Sequence, residues 1–549
     1  PVFHRPIQDS DHGKTFGRFF RVGADSDSGK DSPEHKTATH AAGTLDYVLF
    51  HRAMGDLYDS ATLALKKDEM PQFRHAAFDK AARVVYERGE FSPAMLRDER
   101  VRGLIDETNR VLSSALTVSH ETPPELTAAL CNNVFIFSGL KTYHSLSEVG
   151  LSLTDEEGNT KSFADFHRDV KAIDDRYNSN YLYAEYNHAV HSAQMAVKWH
   201  DWEKDGDEYD LQYRTAGDER VREAHQRLDG VTLPPSDKFW DRYLPPNGWN
   251  CRCNVVQVLR SDYPRSDSDE VTAIGDKYTE SPKMQMFRFN AGKTLTIYPE
   301  KHPYHKAPAK AKRIVEQMAA ELRTPQQVIE FMNASEERRA WFERGFKALR
   351  KETNPRNNGS TDCAGTIWMN KDRLKHVLSG LTKLRQQSEI SFDEADALAT
   401  FWHEITHNRN KRGNINMTAL QIQYMELANE FVARKTLPEF YKAVGGKMQH
   451  PEFMNNRSST GYNRWVRNYC KAIERTGADA DKVLETVREH LFTQSYDDQK
   501  NGLINALLQG GAHTSSGTKI GKRTCSEIVR ESLWYSEEGF EKYLESLIR

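Results

Sequence analysis

The sequence is short of cysteine and of long apolar runs. Six Cys among 549 residues, irregularly spaced, do not make the framework of a disulfide-stapled secreted domain, so a reducing cytoplasm is the expected setting. No run approaches the ~20 apolar residues a membrane-spanning helix needs. The first residues also lack the apolar centre of a secretory signal, so no membrane contact is expected. An excess of one charge is missing too. With 76 Lys and Arg against 79 Asp and Glu, the net charge of −3 excludes bulk attraction to nucleic acid or anionic lipid. There is no internal repeat, phosphate-binding loop, dinucleotide fingerprint or nucleophile elbow. What is present is a very polar chain, with mean hydropathy −0.75, long enough for roughly two to four domains.

One stretch combines into a chemical device: Ala399-Thr-Phe-Trp-His-Glu-Ile-Thr-His407. In a helix, residues four apart lie one above the other, so His403 and His407 can face one ion. Glu404 points about 100° away, where it can act on a water at that ion. Ser391 and Glu394 form a capping-box pattern, and the apolar stripe through Ala395, Leu398 and Trp402 has helical spacing. The helix is expected to stop near Asn408. A zinc site with an open position needs a third protein ligand. The next helix offers Glu430, in Glu430-Phe-Val-Ala433, and one turn earlier Glu426. Upstream, Cys363 to Met369 reads as a strand and Lys371 to Leu381 as a helix.

Along the chain, residues 1–43 read as an extended arm, and helices are expected from Leu45 through Glu90 and after Ser92-Pro93. Val134 to Leu140 is either a buried helix or a strand. Phe163 to Trp202 is helical with an interruption at Asn178-Ser-Asn180. Strand and loop signals dominate 211–253, and 260–283 reads as a surface loop. The basic, proline-marked 301–312 reads as a linker with room for a weak nucleic-acid contact. Helices are then expected at 314–322, 324–333 and 335–350, and near the end at 463–475, 480–493, 498–509 and 525–547.

The segment 211–253 has its own signature: Thr215-x-x-Asp218-x-Arg220-Val221-Arg222, His225, Leu228-x-Gly230, Phe239-Trp240, Pro245-Pro246 and Asn250-Cys251-Arg252-Cys253. It resembles the phage Mu F-like family of minor head, or head-morphogenesis, proteins. The resemblance is dense over 211–253 and extends over about 95–305. Taken alone, His225, Cys251 and Cys253 are three candidate ligands of a structural zinc, one short of a closed tetrahedral set. Asp218, Arg220 and Arg222 read as a buried ion network.

The order strand, His-Glu-x-x-His helix, Glu-bearing helix resembles the gluzincin metallopeptidases, and Glu430-Phe-Val-Ala433 is similar to their Glu-Phe-x-Ala box. That resemblance implies Zn²⁺ held by His403, His407 and Glu430, with Glu404 as proton acceptor. Tyr462, on a Gly-bearing loop, is the candidate oxyanion donor. The expected fold is mainly α with small β elements. After the arm it runs as a helical Mu F-like domain (44–300), the linker (301–312) and a zincin-like α+β domain (313–549). The two resemblances imply a phage or prophage minor head protein with a zinc peptidase domain, working in head assembly or as an injected effector. Its place would be the virion or the host cytoplasm. Its partners would be the portal, other head proteins and a protein or peptide substrate. The alternative is a purely structural virion component whose zincin-like part is inactive or holds zinc only structurally.

Overall fold

The structure, a computed structural model, describes Met54 and residues 70–116, 123–343, 345–354, 357–414, 416–455 and 462–549. The expected arm and the start of the first helix at Leu45 lie outside the described residues. The chain divides into two compact units, residues 1–319 and 320–549. As expected, it is mainly helical, and the described residues form two three-stranded sheets.

In the first unit, α1 (Ala76–Arg88) ends where Gly89 turns left-handed at φ 70°, a conformation that glycine adopts without a Cβ clash. Helix α2 (Glu99–Ser113) starts at Asp98, whose side chain accepts from the Arg100 N–H and satisfies one of the donors left open at a helix start. Helix α3 (Pro124–Leu151) absorbs the ambiguous 134–140 stretch, burying Val134, Phe137 and Leu140 along one side. Helices α4 (Phe163–Asp175) and α5 (Leu182–Asp205) are joined by a π-helical turn, Arg176–Tyr181, which is where the Asn178-Ser-Asn interruption falls. An antiparallel sheet follows in the order β2-β1-β3, from β1 (Asp210–Arg214), β2 (Thr232–Leu233) and β3 (Asn254–Val258).

Two expectations fail here. The supposed surface loop at 260–283 contains a helix, Ser268–Tyr278, capped by Asp267. The supposed linker is packed rather than solvated. Just before it, Tyr298 stacks on Phe137 at 3.7 Å between ring centroids, and its phenol donates to the Glu185 carbonyl; within it the pattern continues. His302 and Tyr304 are buried. Helix α6 (Ala309–Ala319) then lies against α3, where a Cβ on Gly139 would sit 2.5 Å from Val315 Cγ1. A charge count over 301–312 hid these aromatic anchors, and burying them outweighs the solvation of the few lysines between them. The boundary therefore falls after Ala319.

In the second unit, Phe346 does not continue a helix. Its N–H donates to Asn333 Oδ1, and β4 (Ala348–Lys351) pairs parallel with β6 (Thr366–Met369). The expected helix over 335–350 is reduced to Glu336–Arg339, because Gly345 at φ 75° and strand pairing override its helical composition. Strand β5 (Gly359–Thr361) pairs antiparallel with β6 and forms one edge of the sheet. Cys363, expected inside the strand, lies just before it at φ 50°. Then come α7 (Lys371–Arg385), α8 (Phe392–Asn408) and α9 (Ala419–Lys435). A bundle of α10 (Asn463–Arg475), α11 (Ala480–Thr493), α12 (Gln499–Gln509), α13 (Lys522–Trp534) and α14 (Glu537–Leu547) packs on α9 and on its own members. The last expected helix is broken in two at Tyr535-Ser536, where the Ser536 hydroxyl caps α14.

Candidate metal centre

Helix α8 begins with both halves of the capping box, the Ser391 hydroxyl accepting from Glu394 N–H and the Glu394 carboxylate from Ser391 N–H. At its far end Asn408 stitches the helix to the sheet. Its side-chain amide donates to Thr361 Oγ1 at 2.7 Å, and its Oδ1 accepts from Gly365 N–H at 2.9 Å. Trp402 donates to Thr436 Oγ1 at the end of α9. These bonds fix α8 between the sheet and α9, so its next face, His403 and His407, is set toward α9.

The two Nε2 atoms lie 3.0 Å apart. Glu426 Oε2 is 3.3 Å from His403 Nε2 and 3.4 Å from His407 Nε2. Ligands sharing a tetrahedral zinc at roughly 2.0–2.1 Å are separated by about 3.3–3.4 Å. The three atoms, 3.0–3.4 Å from one another, are close to the spacing that three ligands of one zinc would need, and all three residues line the cleft.

The geometry corrects the third-ligand assignment. Glu430 lies behind His403, with its Oε2 2.7 Å from Nδ1 rather than Nε2. Its other oxygen, Oε1, accepts from Arg434 Nε at 2.7 Å, and both side chains are 1% exposed. Helix spacing cannot say which turn of α9 stands level with the histidines, and one turn displaces a ligand by about 5.4 Å. The sequence did hold a clue: Arg434 is four residues after Glu430 and takes that carboxylate in an i,i+4 pair. Glu430 is instead placed where an outer partner of a metal-bound His403 would stand, its carboxylate beside Nδ1.

Glu404, 7% exposed, lines a cleft of about 850 Å³ together with His403, His407, Glu426, Tyr462 and the β5 segment. Burial holds its carboxyl above the usual range, against the pull of the two histidines. Gly359 on β5 is needed at this spot, since a Cβ there would come within 2.9 Å of Glu404 Oε1 and 3.2 Å of Thr400 Cγ2. Sequence reading missed this glycine, as it missed Asn408. Neither carries a motif, and their importance comes from a sheet edge packing on α8. Tyr462 stacks on His403 at 5.9 Å between centroids and 21° between planes. Burial, and then the nearby carboxylates, raise its phenol, so it stays a proton donor at neutral pH.

His403 has a further consequence. Burial would lower its basicity, but Glu426 and Glu430 raise it to about 10, so in the metal-free chain it keeps its proton at neutral pH. A metal needs the neutral imidazole. Zinc binding at pH 7 is therefore expected to release close to one proton from His403, and the apparent affinity to rise with pH toward about 10. Calorimetric titration in buffers of differing ionisation heat checks this; a binding heat independent of the buffer would contradict it. In the metal-free chain the same raised group contributes stability that is complete below about 6.5 and lost as pH climbs through about 10.

The first unit places its own candidates as follows. His225, Cys251 and Cys253 are brought together, with His225 Nδ1 3.6 Å from Cys251 Sγ and 3.4 Å from Cys253 Sγ. Asp218 and Arg220 are exposed, so the expected buried network is not there. Asp218 pairs instead with Arg252, from 2.5 Å, and Arg222 donates to the Trp249 carbonyl.

Compared with known proteins, residues 154–256 match the family model Phage Mu protein F like protein. A curated relative, provisionally named capsid assembly protein F of Escherichia phage Mu, is 31% identical over 157 residues, which cover 25% of this chain and 35% of that protein. The match thus spans about a third of the relative's length. No solved structure matches the chain. The family match encloses β1, β2, the start of β3 and the His225, Cys251 and Cys253 cluster, and the chain carries a Phage Mu F-like domain.

Proposed function

We propose that this chain is a phage head-assembly protein whose second unit is a zinc-dependent peptidase. The observation that carries the peptidase reading is the convergence of His403 Nε2, His407 Nε2 and Glu426 Oε2 beside buried Glu404 in one cleft. Similarity to a phage capsid assembly protein supports the head-assembly role. Portal and head proteins are then the partners and the virion the destination.

His403, His407 and Glu426 would hold the zinc, which when bound polarises a carbonyl and makes water acidic enough to attack near neutral pH. Glu404 takes a proton from the attacking water and returns it to the leaving amine. Its raised basicity suits that exchange, and the rate should fall as pH drops through a value above its ordinary 4.5. Tyr462 donates to the oxyanion that forms at the scissile carbonyl. β5 is an edge strand that lines the cleft, so an extended peptide laid along it is the substrate shape that fits.

The test is a comparison of virion proteins from wild-type phage and phage carrying Glu404→Gln, by mass spectrometry of new N-termini. The reading expects at least one cleavage present in the first and missing in the second. Identical termini in virions and in infected host cells would overturn it.

A further inference from the structure

We propose that the Mu F-like domain contains a second, structural zinc site made of His225, Cys251 and Cys253. It is independent of the cleft in the other unit.

Four observations converge. First, His225 Nε2 lies 3.2 Å from the Asn247 carbonyl. A carbonyl only accepts, so Nε2 carries the hydrogen and Nδ1 is left with its lone pair. Second, that lone pair faces both sulfurs, 3.6 Å from Cys251 and 3.4 Å from Cys253. Zinc bonds of about 2.3 Å to sulfur and 2.0–2.1 Å to nitrogen, at the tetrahedral angle, place these atoms about 3.6 Å apart. Third, His225 and Cys251 are buried, 2% exposed each, yet a space of about 20 Å³ opens beside them. That is room for one water, the fourth ligand of a site with three protein donors. Fourth, the chain turns sharply just before the two cysteines. Asn250 sits at φ 53°, a left-handed turn that asparagine tolerates better than most residues, and both cysteines that follow it lie beside His225.

The need for such a link is visible in the fold. Residues 244–253 have no strand or helix, though Leu244, Trp249 and Cys251 are buried. A metal would tie this loop to the short helix Glu223–Gln226, a link across 26 and 28 residues of sequence. Two thiolates balance the charge of Zn²⁺, and their protons leave to solvent on binding.

The test uses the full chain with both cleft histidines changed, His403→Ala and His407→Ala, produced with zinc in the medium. Metal analysis should find one zinc per chain, and adding Cys251→Ser and Cys253→Ser should remove it. Because these variants can misfold, the unmodified chain provides a second readout. Replacing its zinc with cobalt should give a sulfur-to-cobalt charge-transfer band in the near ultraviolet, and a chelator should make two further thiols reactive. A cleft-histidine variant without zinc, together with an unmodified chain that shows no such band and no chelator-dependent thiols, would overturn the proposal. Loss of peptidase activity alone bears on the cleft and leaves this site standing.

Discussion

Glu404→Gln is expected to keep the fold and the zinc and to lose roughly 10²–10⁴-fold in peptidase rate, the usual cost of removing a general base. The expectation rests on position. Glu404 lines the cleft with the histidines but is outside the trio of ligand atoms, so its charge is not needed to hold the ion. Glutamine has nearly the same shape and fits the space under Gly359, where Glu404 Oε1 would be 2.9 Å from an added Cβ. Activity against an unfolded protein substrate, measured at matched zinc content, checks the effect. An unchanged rate would mean that the proton goes elsewhere, and loss of zinc would make Glu404 a ligand.

The second large effect separates Glu426 from Glu430. Glu426→Gln removes a charged oxygen 3.3 and 3.4 Å from the two Nε2 atoms and should abolish tight zinc binding. Glu430→Gln should weaken binding by roughly 10–100-fold, as for other outer partners of ligating histidines. Its larger cost should be in folding. Arg434, 1% exposed, would lose the carboxylate it pairs with at 2.7 Å, and breaking a buried pair by removing one charge costs about 3–5 kcal/mol. The two variants should therefore swap order between assays: Glu426→Gln worse for metal, Glu430→Gln worse for thermal stability. Zinc titration and a melting curve on the same preparations decide it, and the same order in both assays would contradict the geometry.

Much of this site could be read from the residues. The capping box at Ser391 and Glu394, the end of α8 at Asn408 and the facing of His403 and His407 all follow from local rules of cap and period. Tyr462, picked from a loop, does reach the cleft. What could not be read depends on distance in space. The offset of α9 along α8 decides between Glu426 and Glu430, and no local rule of cap or period fixes it. Gly359 and Asn408 matter only because β5 and the turn before β6 come to rest on α8. In the first unit, the same limit explains the linker. His302, Tyr304 and Ala307 are spaced irregularly, so no period marks them as core, yet all three are buried.

The central claim is that one ion is held by His403, His407 and Glu426, and it is tested most directly by crystals of the zinc-loaded chain measured at the zinc absorption edge. The account predicts an anomalous peak about 2.0–2.2 Å from both Nε2 atoms and one Glu426 oxygen, with Glu430 still on His403 Nδ1. No peak there, or a peak bonded to Glu430 in place of Glu426, would contradict it.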